Sequence, residues 1–237
     1  MKIKADIHIH TCLSPCADIL ISPKRIVEKA FNTDLNMIFI TDHNSLNNAE
    51  AAIKAARYYP SLAVYPGMEI TSREEVHILG LFGNMADALS TEEVITTYLP
   101  DAVSDSEYRE QIIANEFDEV EGFCLKSLFN AVNIKTEDII KLIHNNNGIA
   151  AAAHIDRPSF SIISQLGFIP DDIGFDALEI SPNLDIEKAK EKYPEYLGKY
   201  KFLRGSDSHS LNWIGSVYTE FEGKNNTFGE FAQYLIS

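Results

Sequence analysis

Six of the chain's seven histidines stand at or just beyond the ends of segments that read as strands, and this placement points to chemistry. His8 and His10 close the first such segment. His43 follows the second in Thr41-Asp42-His43, and His77 sits early in the fourth. His154 follows Ala150–Ala153, and His209 ends Gly205-Ser206-Asp207-Ser208-His209. Glu69 belongs with them, just past the third strand in Pro66-Gly67-Met68-Glu69. Taken alone, His77 would read as a satisfied core histidine. His8 and His10 are different: two residues apart on a strand, they project to one face and can chelate one ion. Buried neutral histidines in this number would each need a separate hydrogen-bond partner, whereas a divalent cation takes several ligands at once. Imidazole with carboxylate and no thiolate favours Zn, Mn or Fe over Ca or Mg. Six histidines with Asp and Glu exceed what a single ion can use, so more than one ion is expected. The spacing of Cys12 and Cys16 is by itself a weak ligand signal. His144, at the end of a helical segment before Asn145-Asn146-Asn147-Gly148, reads as a partner of the helix C-terminus rather than a ligand.

Seven strand segments would have to position these groups: Ile3–His10, Met37–Thr41, Leu62–Tyr65, Val76–Phe82, Gly148–Ala153, Ala177–Ile180 and Lys201–Gly205. The first alternates, with Ile3, Ala5, Ile7 and Ile9 on one face and Asp6, His8 and His10 on the other. Helical periodicity lies between them. Ser22-Pro23 offers a cap followed by proline at the first helical position. Ser45 could cap a second helix, and Thr136 opens a third. Strands alternating with helices predict parallel βαβ units, whose chemistry gathers where strand C-termini meet the following loops. Residues 84–145 break the rhythm. They show no convincing strand and read as a mainly helical insertion, and they carry thirteen acidic against four basic residues. The expectation is a solvated cap on one side of a single barrel domain.

At 237 residues, with 45% hydrophobic and 23% charged residues, the composition is that of a folded globular chain. No stretch approaches the roughly 18 apolar residues that span a bilayer. No apolar h-region follows Met1, and three cysteines make a disulfide framework improbable. A cytoplasmic location and no membrane partner are therefore expected. The formal charge of −15 repels nucleic-acid backbones, so long duplex nucleic acid is not expected as a partner. Nothing in the sequence specifies an oligomeric state.

The ordered set Asp6-Ile7-His8-Ile9-His10-Thr11, Thr41-Asp42-His43, Gly67-Met68-Glu69, His77, Ala153-His154 and Gly205-Ser206-Asp207-Ser208-His209 resembles the successive motifs of the PHP (polymerase and histidinol phosphatase) superfamily. The resemblance runs from residue 6 to residue 209. It implies an α/β fold, a distorted (β/α)7 TIM-like barrel, with two or three divalent ions (Zn, Mn or Fe) at the strand C-termini. Carried over by position, His8, His10, Glu69 and Asp207 hold the first ion. Glu69 bridges to a second, completed by His77 and His154, while His43 and His209 hold a third. The third site usually has one more ligand shortly after the HxH motif, and here Asp18 is the only acid nearby. Where the family often has Pro after the later histidine, this chain has Ile155-Asp156-Arg157-Pro158. Arg157 could hold a phosphate bidentately or pair with a surface acid such as Asp156. Asp6 and Asp42 precede ligands and could orient their imidazoles.

The resemblance implies hydrolysis of a phosphoester, in a small phosphomonoester or a nucleotide, by a hydroxide generated at the cluster, with Glu69, Asp207, His209 and Arg157 as the catalytic set. The alternatives are a nuclease or exonuclease acting on short oligonucleotide ends and a non-catalytic metal-binding scaffold. An amidohydrolase would need a bridging Lys, and none lies near a matching strand end. Phe160 and Trp213 read as wall packing in preference to base-stacking platforms.

Overall fold

The chain is described here by a computed structural model covering residues 1–102 and 110–237. Its elements are β1 (Lys2–Ile9), α1 (Pro23–Asn32), β2 (Met37–Ile40), α2 (Ala49–Ala55), β3 (Ala63–Thr71), β4 (His77–Leu81), α3 (Met85–Thr97), β5 (Ile112–Ala114), β6 (Val120–Phe123), α4 (Thr136–Asn145), β7 (Ile149–Ala152), α5 (Ile162–Leu166), β8 (Ala177–Ile180), α6 (Ile186–Lys192), β9 (Lys201–Arg204), β10 (Thr219–Glu222) and α7 (Phe228–Leu235). All seven expected strand segments are strands. Ser22 is the extended residue before α1, with Pro23 opening the helix, as proline's fixed φ allows. The second helix starts later than Ser45 implies: Asn48 precedes it, and the Ser45 hydroxyl is bonded to Glu92.

The strands order as β10-β1-β2-β3-β4-β7-β8-β9. The ring all but closes at one end, where Ile9 and Ser208 form a parallel bridge, His10 N–H donates to Ser208 O (3.1 Å) and Ser208 N–H donates to His8 O (3.3 Å). At the other end β10 runs antiparallel along the start of β1, and Thr219 Oγ1 bonds both the N–H and the carbonyl of Arg204 on β9. Seven strands thus form the TIM-like barrel and β10 wedges its seam.

Two features of the ring differ from a plain parallel barrel. β4 is antiparallel to both neighbours, because five residues between β3 and β4 are too few for the crossover that a parallel pair needs. This reversal carries His77, at the start of β4, to the barrel end where the other strands finish. β3 also runs on through Pro66 and Gly67 to Thr71, so Glu69 lies within the strand, paired with Leu79. Gly67 is required there, since a Cβ would sit 2.8 Å from Thr41 Cγ2 and 3.0 Å from Gly80 O.

Side chains sort into two clusters. Met37, Phe39, Leu79, Leu81, Ala151, Ala153 and Leu203 fill the barrel, with Phe221 of β10 and Phe231 of α7 closing it. Their strand neighbours Ile38, Ile40, Ile78, Ala150, Ala152 and Leu178 pack outward against the helices. β1 does not keep its expected alternation. Ile3, Ala5 and Ile7 belong to the inner cluster but Ile9 to the outer one. The register of β1 against β2 slips between Asp6 and Ile9. Such a bulge re-aims side chains, and it brings both Ile7 and His8 inward.

The acidic stretch 84–145 also departs from expectation. Helices α3 and α4 bracket a β5–β6 hairpin rather than a run of helices, and residues 103–109 lie outside the described residues. The hairpin is short, and its edges are satisfied by the body: Ile112 N–H donates to Cys12 O, and Asn48 clasps Ile112 O and Ala114 N–H. No helix among the described residues is long and apolar enough to cross a membrane.

Candidate metal centre

Glu69 is the hub. Its Oε1 lies 2.6 Å from His77 Nδ1 and 3.0 Å from His154 Nε2. Its Oε2 lies 3.4 Å from His8 Nε2, 3.3 Å from His10 Nε2 and 3.2 Å from His43 Nδ1. Asp207 Oδ1 approaches His8 Nε2 at 3.5 Å and His10 Nε2 at 3.3 Å. Among the described residues, four groups bring three possible ligand atoms within 4.8 Å of one another. They are His8 with His10 and Asp207; His10 with His43 and Glu69; Glu69 with His77 and His154; and His10 with Cys16 and His209.

Burial makes the arrangement electrostatically tense. It works against a charged His8, yet Glu179, Asp207 and Glu69 outweigh it and hold that ring well above the ordinary imidazole range. Burial likewise opposes a charged His10, but contacts to Asp207 and Glu69 raise it to about 9. Burial would raise Glu69 and Asp207, whereas the surrounding histidines hold both carboxyls well below the usual range. His43 is pushed well down by burial, and His209 falls to about 4 for the same reason. The donor set fits divalent cations. The Nε2 atoms of His8 and His10 face each other at 3.1 Å, and His43 Nδ1 is buried without a hydrogen bond.

The outer nitrogens are held by groups that free the inner ones to ligate. His8 Nδ1 donates to Glu179 Oε1 and Oε2 at 3.1 and 3.0 Å. Glu179, on β8, also accepts the His154 N–H at 3.0 Å. Gly205 makes room for this pair, since a Cβ there would sit 2.8 Å from both Glu179 Oε1 and His8 Cβ. His10 Nδ1 donates to Ser14 Oγ (3.1 Å), which donates to Asp42 Oδ1 (2.6 Å). Asp42 thus reaches an imidazole through Ser14, while Asp6 reaches none: it accepts backbone N–H groups from Ser206 and Gly215. Burial raises Asp6 to about 6. The Phe160 ring stacks on His77 at 4.7 Å and its carbonyl accepts the His77 N–H, so it is wall packing. Trp213 is exposed.

Two residues of these groups, His154 and Asp207, hold positive φ angles (29° and 47°), as do the nearby Asn44 and Phe160. Such backbone strain collects at functional sites. Arg157 stands beside the centre, where its guanidinium pairs with Asp207, while Asp156 accepts from the Ser181 N–H and hydroxyl. The structure does not bring Asp18 in. Its carboxylate accepts the Leu20 N–H at 3.0 Å in a local turn on the exposed side of the loop, and the Cys16 sulfur takes the place beside His10 and His209. His144 stands apart from the centre, paired with Asp176 at 2.8 Å.

A family profile described as PHP domain matches residues 6–203, and one described as PHP-associated matches residues 199–237. The uncharacterized protein YqxK of Bacillus subtilis (strain 168) is 33% identical over 100 residues, which is 40% of this chain and 25% of that protein. The lesion-specific endonuclease EndoQ of Pyrococcus furiosus superposes with a TM-score of 0.74 at 20% identity, covering 99% of this chain and 56% of that one. An Endonuclease Q complex with a 27-mer duplex bearing an abasic lesion at the active site gives 0.74 at 19% identity, over 100% and 57% of the two chains. A Bifidobacterium adolescentis protein provisionally assigned as a metal-dependent phosphoesterase gives 0.59 at 17% identity, over 98% and 95%. The chain thus spans little more than half of the endonuclease it resembles in fold.

Proposed function

The chain belongs to the PHP domain family, and from that premise we propose that it is a metal-dependent hydrolase of phosphoesters, acting on a small phosphomonoester or nucleotide. One observation carries the reading: two histidine–carboxylate groups share Glu69, and a guanidinium stands at their edge. His8, His10, Glu69 and Asp207 would hold one divalent ion, and Glu69, His77 and His154 a second. When bound, such ions supply Lewis acidity toward a phosphoryl oxygen and lower the pKa of water. Glu69 fixes the spacing between the two positions, because each of its oxygens faces a different set of imidazoles. Glu179 and the Ser14–Asp42 pair hold His8 and His10 in the tautomer that points Nε2 inward. Arg157, a third exposed and paired with Asp207, presents at the rim a planar fork that suits a phosphate. His209 is also a third exposed at the rim, where the nitrogen not held by the Asp207 carbonyl faces the site.

A second reading, strand cleavage in DNA, is favoured by the fold's likeness to an enzyme crystallised with a 27-mer duplex. That likeness weakens the argument from net charge, since the same barrel can serve a duplex when other parts of a longer chain assist. The short coverage and the charge of −15 keep small substrates first.

The test is phosphate release by Mn- or Zn-loaded protein from histidinol phosphate, sugar phosphates, 3′,5′-nucleoside bisphosphates and short RNA, alongside nicking of an abasic duplex. Turnover of a small ester, lost in His8→Ala while the circular dichroism is retained, is expected. Nicking alone would replace the proposal with the nuclease reading, and bound metal with no turnover on any substrate would leave a scaffold.

A further inference from the structure

One of the four ligand groups contains a residue type foreign to the rest of the centre. His10, Cys16 and His209 each present one ligand atom within 4.8 Å of the others. The loop after β1 is built to place this sulfur. Cys12 N–H donates to Ile21 O and closes the loop, Ser14 N–H donates to Thr11 O, and Ala17 N–H donates to Ser14 O. Asp18 N–H then donates to His209 O at 2.8 Å, which stitches the segment carrying Cys16 onto the segment carrying His209. The His209 Nδ1 donates to the Asp207 carbonyl at 2.8 Å, leaving its other nitrogen free. Neither of the other thiols competes. The Cys12 sulfur is buried against Ile112 O and Asn48 Nδ2, and neither Cys12 nor Cys124 belongs to any ligand group among the described residues.

We infer that Cys16 and His209, beside His10, form a thiolate-containing third metal position that selects zinc over manganese. This rests on the hydrolase centre proposed above and makes its ions inequivalent. Two positions offer only imidazole and carboxylate, which manganese, iron and zinc all accept, whereas the third offers a soft sulfur that suits zinc far better than manganese. Binding forms a sulfur–zinc bond and releases the thiol proton to solvent, with no electron transferred. Cys16 is exposed, so both the ion and a thiol reagent can reach it. The position therefore loads from solvent.

The experiment is cobalt(II) titration of the full chain, read by absorption and by metal analysis. The wild type is expected to show visible ligand-field bands together with a near-ultraviolet thiolate-to-cobalt charge-transfer band. Cys16→Ala should lose the charge-transfer band and one ion per chain while keeping the ligand-field bands. Cys12→Ala and Asp18→Asn should keep both bands and the full ion count. A parallel readout is mapping of alkylation by mass spectrometry: zinc should protect Cys16, and manganese at equal saturation should not. Ligand-field bands without a charge-transfer band in the wild type would overturn the thiolate position and leave the two-ion centre standing, as would loss of an ion in Asp18→Asn but not in Cys16→Ala. Failure to bind cobalt at all would remove the hydrolase reading as well. Circular dichroism and Cys16→Ser guard against a folding artefact, since serine restores the volume without the sulfur signature.

Discussion

The two halves of the barrel interior are built by the same strands and have opposite chemistry. Toward one end the inward side chains are Ile3, Ala5, Met37, Phe39, Leu81, Ile149, Ala177 and Leu203, sealed by Phe221 and Phe231. Toward the other they are His8, His10, Glu69, His154, Glu179 and Asp207, equally buried, with His77 at their edge. The apolar half holds by dispersion and exclusion of water, and each residue there can be replaced by another of like volume. The ionisable half is held only if each charge is matched. Its backbone is correspondingly less regular, with the slip in β1, the reversal of β4 and the positive φ of His154 and Asp207 all lying there. The comparison teaches a division of labour: stability sits where the strands begin, and chemistry where they end.

The largest expected effect separates the two halves. Phe231 is fully buried against Phe39 and Phe221, with ring centroids 5.6 and 5.7 Å away. Phe231→Ala should cost about 3–5 kcal/mol of stability, measured by chemical denaturation, with the metal content of the folded fraction unchanged. A folded Phe231→Ala protein that had lost its metals would show that the halves are not independent. A smaller effect should appear at the boundary. Glu179→Gln keeps a side chain of the same shape beside His8 Nδ1 and the His154 N–H but removes the charge. Metal affinity in chelator competition should fall by about 10- to 100-fold. Unchanged affinity would make Glu179 a packing residue and move the boundary outward.

Much of the ionisable half is readable in the sequence, because histidines and acids stand at one strand end after another. Glu179 is not, since a single acid in Ala177-Leu178-Glu179-Ile180 resembles any exposed strand position, and only the closed barrel shows that both of its faces are buried. Asp18 matches the expected ligand by residue type, yet a carboxylate two residues before an available N–H satisfies itself locally, as with Leu20. Cys16 reaches the centre through a loop whose closure, Cys12 to Ile21 and Asp18 to His209, depends on a segment nearly two hundred residues away. The hairpin of β5 and β6 escaped for another reason. Its strands are three and four residues long and gain their partners from Cys12 and Asn48 rather than from alternation. The reversal of β4, by contrast, is implicit in the five residues that precede it.

The smallest effect compares a buried pair with an exposed one of the same chemistry. His8 with Glu179 is wholly buried, whereas His144 with Asp176 at 2.8 Å is more than a third exposed on each side. The hydrogen bond that His144 donates to Asp176 raises His144 above the ordinary imidazole value, burial opposes the rise, and the charge of Asp176 adds to it. A ring with a raised value in the folded chain is stabilising while it is protonated. Its contribution is complete below about pH 6.5, the value of a free imidazole, and is lost as pH rises through the folded value. Exposure limits the whole effect to below about 1 kcal/mol. The stability difference between wild type and His144→Ala should therefore be largest in mildly acidic solution and shrink toward alkaline pH. The histidine proton resonances of His144 should titrate above those of a free imidazole, and added salt should shrink both signatures. A difference that grows with pH would reverse the sign and show that His144 serves the C-terminus of α4 by packing rather than by charge.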